Sequence, residues 1–305
     1  MHRLLAPALL LLLPLPAVAW NKPGHMVIGA VAYEVLKADS PAALAGAVAL
    51  LKSHPDYPRL WQRQMDRLPE PDRDLYLFMM AGRWADDIRG TDADRPTWHY
   101  INFPVKPAGQ PESVKAPAPA EPNILTALAD NRTKLTAAPE VTERAVALTW
   151  LVHLLSDIHQ PLHTVALFTT DYPDGDRGGN RVFIRAGPDA RAINLHRFWD
   201  DLLLGRDDFR AAKNTAIELR LRPEFAREKL TELTAEAFEA WAKDEGVRLA
   251  AETVYHHGAI AGGTSELTAK TLPDGYTKAA KAAAERRAVL AGYRTAAVLK
   301  AAMGN

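Results

Sequence analysis

The sequence contains no cysteine. That absence removes disulfide scaffolds, thiol nucleophiles and cysteine-ligated zinc together. An excess of either charge is also missing: 37 Lys and Arg face 37 Asp and Glu, a formal net charge of zero. Proteins that hold nucleic acid by bulk electrostatics carry a basic excess, so composition argues against that mode of binding. Beyond residues 1–19, no run is apolar enough to span a bilayer. What remains is a chain of 305 residues, 48% hydrophobic and 24% charged. Such a chain suits a globular protein with a sizeable core, not a disordered one.

Residues 1–19, MHRLLAPALLLLLPLPAVA, begin with His2 and Arg3, continue in leucine and end in Ala17-Val18-Ala19. A basic start, a short apolar core and a small-x-small end describe a removable export signal, and Pro14 and Pro16 disfavour a membrane anchor. The expected mature chain starts at Trp20, is exported to a periplasm or secreted, and keeps no membrane anchor. Without cysteine it does not rely on an oxidising compartment for stability.

Most of residues 20–305 reads as helix. Residues 25–38 repeat apolar side chains at helical spacing, and Ser40-Pro41 looks like an N-cap followed by proline at the first helical position. Residues 104–122 hold six prolines and read as an irregular loop. From Glu143 to His159 the sequence is apolar almost all round, as for a helix buried on every side, and Pro161 stops it. A loop at 171–180 leads to RVFI, a strand of a short β-hairpin near 180–195. Further helices are expected over 196–260. An alanine-rich helix follows at 276–302, with Leu290, Tyr293 and Ala297 facing the core. No internal repeat or domain boundary stands out, so residues 20–305 are expected to form a single, mainly α, multi-helix domain.

The chemistry-bearing residues lie within this helical pattern. His153 and Asp157 are four apart on the buried helix and share a face. A carboxylate and an imidazole cannot stay unpaired there, so they either pair with each other or coordinate a divalent metal. His163 follows in DIHQPLH. His196 and Asp200 repeat the His-x-x-x-Asp spacing in NLHRFWD. His99 lies in WHYINFP, Asp86 in RWADDIR, and His25 five residues after Trp20. Nitrogen and oxygen ligands without sulfur suit a catalytic zinc with a position left open.

Taken in order, Trp20-Asn21-Lys22-Pro23-Gly24-His25, Trp84-Ala85-Asp86, His153-x3-Asp157-x5-His163 and Asn194-Leu195-His196-x3-Asp200 resemble a known signature. It is that of the zinc-dependent single-strand nucleases and 3'-nucleotidases of the mung bean type, the S-one/P-one nuclease family. The resemblance runs from Trp20 to about residue 200 and only loosely covers the last helix. It implies the multi-helix fold shared with zinc phospholipases C, three Zn2+ and a monomer. The implied substrates are single-stranded DNA, RNA and 3'-nucleotides, cleaved to 5'-phosphates by a zinc-activated hydroxide.

Carried over by position, the resemblance gives one zinc to His25 and the terminal amino and carbonyl groups of Trp20. Asp157 would bridge that zinc to a second, held also by Asp86, His99 and His153. His163, His196 and Asp200 would hold the third. Since an α-amino group ligates only when free, removal of the signal would then complete the site. Asp86 and Asp157 take catalytic roles with Arg89, whose guanidinium fork suits a phosphate. Tyr100 falls where the family stacks a ring under an unpaired base. Asn102 stands where an aspartate is expected to read the base, which puts base preference in question. The absence of disulfides sets this chain apart from the fungal and plant enzymes and points to a bacterial-type member.

Other polar residues have plainer readings. His159 is expected to pack or support, Asp87 and Asp201 only adjoin ligands, and His54, His256 and His257 are expected to hold no metal. The remaining tryptophans are core candidates, and Asn131-Arg132-Thr133 matches a glycosylation acceptor. Two alternatives compete with the nuclease: a zinc phospholipase C of the same fold, and an exported zinc-binding protein. Asp86 followed by Arg89, and Tyr100 after His99, favour the nuclease. The absence of a mobile histidine-rich loop disfavours a carrier.

Overall fold

The computed structural model describes residues 20–260 and 262–304. The expected export signal at 1–19 lies outside the described residues. The first helix, α1 (Lys22–Asp39), is started by Asn21, whose side chain accepts the Gly24 amide, and by a proline in its first turn. It is followed by α2 (Pro41–Leu51), α3 (Gln62–Met65), α4 (Glu70–Asp87), α5 (Ile124–Ala137) and α6 (Val141–Asp157). Ser40 does occupy the position before α2, but its side chain makes no cap hydrogen bond there. Helix α6 is the axis of the molecule: every residue from Ala147 to Asp157 is buried, and α1, α2, α4, α5 and the last helix, α10 (Tyr276–Met303), pack around it. Its nearly continuous apolar sequence follows from having protein on all sides. The helix ends at Asp157, and Pro161 opens a separate 3-10 turn, Pro161–His163.

Two small sheets lock the remaining segments to this bundle. Strands β1 (Phe103–Val105) and β2 (Val165–Leu167) pair in parallel, with Phe103 opposite Val165. The ladder continues backwards through Ile101 N–H to the His163 carbonyl at 2.8 Å, so the segment after His99 lies along the segment after His163. The expected hairpin is present: β3 (Phe183–Arg185) runs antiparallel to β4 (Ile193–Asn194) and delivers the chain into α7 (Leu195–Asp200). A further strand, β5 (Lys270–Thr271), joins β3 in parallel and has no counterpart in the sequence reading.

The region expected to be helical over 196–260 is more broken than its sequence suggests. After α8 (Phe209–Leu221), three short 3-10 turns between Pro223 and Thr234 replace a regular helix. Pro223 cannot extend α8, because it has no N–H to donate. The stretch Ala240–Val254 is helical, with π-type winding on either side of the short α9 (Val247–Leu249).

The last helix, α10 (Tyr276–Met303), packs along α1. Leu290 is fully buried and Tyr293 half-buried, as expected, but Ala297 is exposed and Ala296 and Leu299 face the core instead. The face is displaced because α10 also buries Arg287 and Arg294, which meet the carboxylate of Glu245. Asn131 is buried within α5, where its amide donates to the Ala127 carbonyl. It is therefore not available as a glycosylation acceptor in the folded protein. Of the six tryptophans after Trp20, Trp61, Trp84, Trp150, Trp199 and Trp241 are buried, as expected of core residues, and Trp98 is half-buried.

The contact between α1 and α10 depends on Gly292, where a Cβ would lie 2.3 Å from Cγ1 of Val31 and 2.6 Å from its Cβ. Replacing a helical glycine by alanine usually gains up to about 1 kcal/mol of helix propensity. Overpacking of this kind costs roughly 1–3 kcal/mol and should outweigh it. Gly292→Ala is expected to lower the midpoint of denaturant unfolding. A midpoint equal to or above that of the parent protein would show that the helices separate at no cost.

Candidate metal centre

Five histidines and three aspartates converge on the inner end of α6, from segments far apart in sequence. Helix α6 supplies His153 and Asp157, one turn apart, with Nε2 of His153 3.1 Å from Oδ2 of Asp157. His25 comes from α1 and stacks on the His153 ring, with centroids 4.0 Å apart. Asp86 lies in the last turn of α4, and His99 closes the 3-10 turn Pro96–His99. His163 closes the turn after α6, and α7 carries His196 and Asp200. All eight side chains are buried, none more than 5% exposed.

Their donor atoms form three compact groups, each within 4.8 Å: His25, His153 and Asp157; Asp86, His99 and His153; and His163, His196 and Asp200. His153 is near enough to belong to two groups, but its Nε2 has a single lone pair. Asp157 has two oxygens, and they face different ways. Oδ1 is 3.3 Å from Nε2 of His25, and Oδ2 is 3.0 Å from Nδ1 of His99. Of the two residues, only the carboxylate can serve both groups at once.

Backbone carbonyls set the ring tautomers, because a carbonyl can only accept. Nδ1 of His163 is 2.6 Å from the His99 carbonyl, Nδ1 of His196 is 2.6 Å from the Gly178 carbonyl, and Nδ1 of His153 is 2.9 Å from the Gly82 carbonyl. Each Nδ1 must carry the proton, which leaves each Nε2 of the neutral ring as a bare acceptor. Nε2 of His163 and Nε2 of His196 nonetheless face each other at 3.0 Å. Two lone pairs at that separation need a cation between or beside them. Five further buried atoms of the centre lack a hydrogen-bond partner: Nδ1 and Nε2 of His25, Oδ2 of Asp86, Nε2 of His99 and Oδ1 of Asp157. Buried polar atoms are seldom left unsatisfied. These residues therefore fit a set of divalent metal ions, with Nδ1 of His153, His163 and His196 anchored to backbone carbonyls and their Nε2 turned into the centre.

The electrostatics agree. Burial, reinforced by the neighbouring His153, holds His25 and His99 well below the usual imidazole range. Burial and then His196 do the same for His163. Neutral imidazole is the ligating form. Burial pushes Asp157 up to about 6 and Asp200 well above the ordinary carboxylate range. His153 is the exception: burial lowers it, but the carboxylates of Asp157 and Asp86 and the Gly82 carbonyl together outweigh burial and raise it overall.

Around this core, Arg89 donates through Nε to Oδ1 of Asp86 at 2.7 Å and stands 3.3 Å from Nδ1 of His99. Tyr100 and Asn102 follow His99 along the chain and are both partly exposed. Trp20 is fully buried, and its indole donates to the Ser156 carbonyl, beside Asp157. The residues given plainer readings lie apart from the groups. Asp87 pairs with Arg83 and Lys22, and Asp201 accepts from Asn21. His159 bonds to the Leu155 carbonyl and to Arg294. His54 packs against Trp61 and Trp84, where burial lowers it to about 4. His256 and His257 are exposed.

Two supporting residues escaped the sequence reading. Gln160 is fully buried and donates to Oδ1 of Asp200 at 2.7 Å, while its own oxygen accepts the Leu162 amide. Asp176 holds the loop that carries Gly178. The only sequence signal for Gln160 was its place between two histidines in HQPLH.

The structure is thus a mainly helical bundle built around a buried histidine–aspartate centre that fits divalent metal ions. The S1/P1 Nuclease family profile matches residues 20–304, and the chain belongs to that family. It is similar to Nuclease S1 of Aspergillus oryzae, 30% identical over 135 residues, which are 42% of each chain. It is also similar to two Arabidopsis thaliana proteins. Endonuclease 4 is 41% identical over 58 residues, 19% of this chain and 16% of the relative. Endonuclease 3 is 23% identical over 202 residues, 62% of this chain and 55% of the relative. The matched segments thus span about half or less of these relatives' own length.

Asp157 is the one side chain positioned to serve two groups, so its loss should be felt by both. Asp157→Asn is expected to bind at least one fewer divalent ion per chain than the parent protein in equilibrium dialysis against zinc. An unchanged metal content in a folded variant would contradict the bridging geometry.

Proposed function

We propose that this protein is an exported, zinc-dependent phosphodiesterase. It hydrolyses single-stranded DNA and RNA to 5'-phosphorylated products and also acts as a 3'-nucleotidase, working as a monomer with three Zn2+. The carrying observation is the convergence of eight buried histidines and aspartates into three groups of donor atoms, with unpartnered atoms on His25, Asp86, His99 and Asp157. Among the described residues, no helix is long and apolar enough to cross a membrane.

In this reading His25 and Asp157 hold one zinc together with the terminal amino and carbonyl groups of Trp20. Asp86, His99, His153 and Asp157 hold the second, and His163, His196 and Asp200 the third. The indole bond from Trp20 to the Ser156 carbonyl supports the first assignment, because it fixes residue 20 beside the turn that carries Asp157. Ligands of nitrogen and oxygen without sulfur support zinc in a hydrolytic role. When bound, the metals supply Lewis acidity toward water and toward the oxygens of the phosphate.

The chain's own contribution is to position and to exclude. Arg89 is restrained by Asp86 at the edge of the centre and offers its guanidinium fork to the scissile phosphate. Tyr100 offers a ring on which any unpaired base can stack, which accounts for a preference for single strands. Asn102 can both donate and accept at a base edge, where an aspartate would only accept. The apolar wall of Trp84, Trp98 and Trp150 packs against His99 and its neighbours and keeps the local dielectric low.

The reading is tested with zinc-loaded protein beginning at Trp20. It would be offered single-stranded DNA, RNA, a 3'-nucleotide and phosphatidylcholine, each with and without chelator. Cleavage of the nucleic acids to 5'-phosphate ends, lost on chelation, is the expected result. Turnover of the lipid alone would establish the phospholipase C alternative, and turnover of nothing the zinc-binding one; either overturns the proposal.

A further inference from the structure

The loop between β2 and β3 contains a carboxylate that none of the chemistry above uses. Asp176 is fully buried and belongs to none of the three metal-ligating groups. Its Oδ1 accepts the Leu167 amide at 2.8 Å, and its Oδ2 accepts the Gly179 amide at 2.8 Å and the Tyr255 hydroxyl at 2.6 Å. Its main chain is held on both sides, N–H to the Leu167 carbonyl and carbonyl from the Arg181 N–H, each at 3.0 Å. Burying a carboxylate is costly unless it is this fully hydrogen-bonded. The arrangement therefore has to be judged by what it holds in place.

What it holds is the Gly178–Gly179 pair. Both glycines are in the left-handed region, with φ of 58° and 80°. A Cβ on Gly178 would fall 2.3 Å from the Leu162 carbonyl oxygen, so the loop backbone is pressed against the residue preceding His163. On its other side the same turn presents the Gly178 carbonyl to Nδ1 of His196 at 2.6 Å. One turn thus touches the chain at both histidines whose Nε2 atoms face each other.

We infer that Asp176 is a positioning residue for His196. With Oδ1 anchored to the Leu167 amide and Oδ2 to the Gly179 amide of the turn, it holds the Gly178 carbonyl at Nδ1 and so turns Nε2 toward His163 and Asp200. Tyr255 completes the clamp from a segment 79 residues away. The metal part of this inference rests on the zinc reading above, but the ring tautomer does not.

The test uses the full protein with Asp176→Asn and, as a milder change, Tyr255→Phe. In either orientation of the amide, Asn cannot accept on both sides of the clamp. Nitrogen-15 NMR of metal-free protein above neutral pH reads the His196 tautomer. A single Nδ1–H form is expected in the parent protein and a mixture in Asp176→Asn. Chelator competition on zinc-loaded protein then reads the metal. One zinc is expected to leave at roughly 10–100-fold weaker affinity, as for other supporting partners of metal ligands, while the rest stay bound. A fall in melting temperature with parental tautomer and parental zinc release would make Asp176 merely structural and overturn the inference. So would loss of all zinc in parallel. If Asp176→Asn does not fold, Tyr255→Phe decides on the same two readouts, with a smaller shift expected. If the parent protein binds no zinc, the metal reading fails, and the tautomer comparison still decides the role of Asp176.

Discussion

Nε2 of His163 faces Nε2 of His196 at 3.0 Å inside an apolar protein, and in neutral rings whose Nδ1 donates to a carbonyl both of these atoms are acceptors. Water cannot relieve this, because both rings are buried. Protonating one ring is opposed by burial, which holds His163 well below the usual imidazole range. A cation shared between the rings relieves the contact, and the donor set gathered around it fits one. The same logic applies at Asp157, whose two oxygens reach different histidines and whose Oδ1 has no hydrogen-bond partner. Carboxylates and imidazoles at this depth are stable together only when something positive is shared among them.

The fold solves the placement problem with rigid parts. Helix α6 carries two ligands at a fixed rise and is gripped by five other helices. The parallel pairing of β1 with β2 sets the His99 segment alongside the His163 segment, so that the carbonyl of one orients the ring of the other. The hairpin feeds α7, and Asp176 and Gln160 aim its two ligands from opposite sides. Farther out, Arg287 and Arg294 of α10 hold the His159 carbonyl and ring, and with them the turn that follows Asp157. The last helix therefore contributes no ligand and still restrains the ligands.

Much of this was legible in the sequence wherever the signal was local. The four-residue spacing of His153 with Asp157 and of His196 with Asp200 marks shared helix faces, and an apolar run from Glu143 to His159 marks a buried axis. The supporting layer was not legible, because it is built from long-range bonds, often to backbone. Asp176 meets Leu167 nine residues away and Tyr255 seventy-nine away, and no local pattern encodes either distance. The three-residue parallel pair β1–β2 escaped for the same reason. In α10 the abundance of alanine hides which face is inward, and two buried arginines paired with Glu245 invert the usual polarity rule. That is why Ala297 is exposed although its spacing matches that of Leu290 and Tyr293. The balanced composition excludes a broad basic surface, but metal ions clustered in one place can supply positive charge that residue counting cannot see.

The most direct measurement is anomalous X-ray scattering at the zinc edge from crystals of the chain beginning at Trp20. One zinc peak is expected within each of the three groups, with Asp157 contacting two of the peaks. An absence of peaks, or zinc found only on surface residues such as His256 and His257, would contradict it.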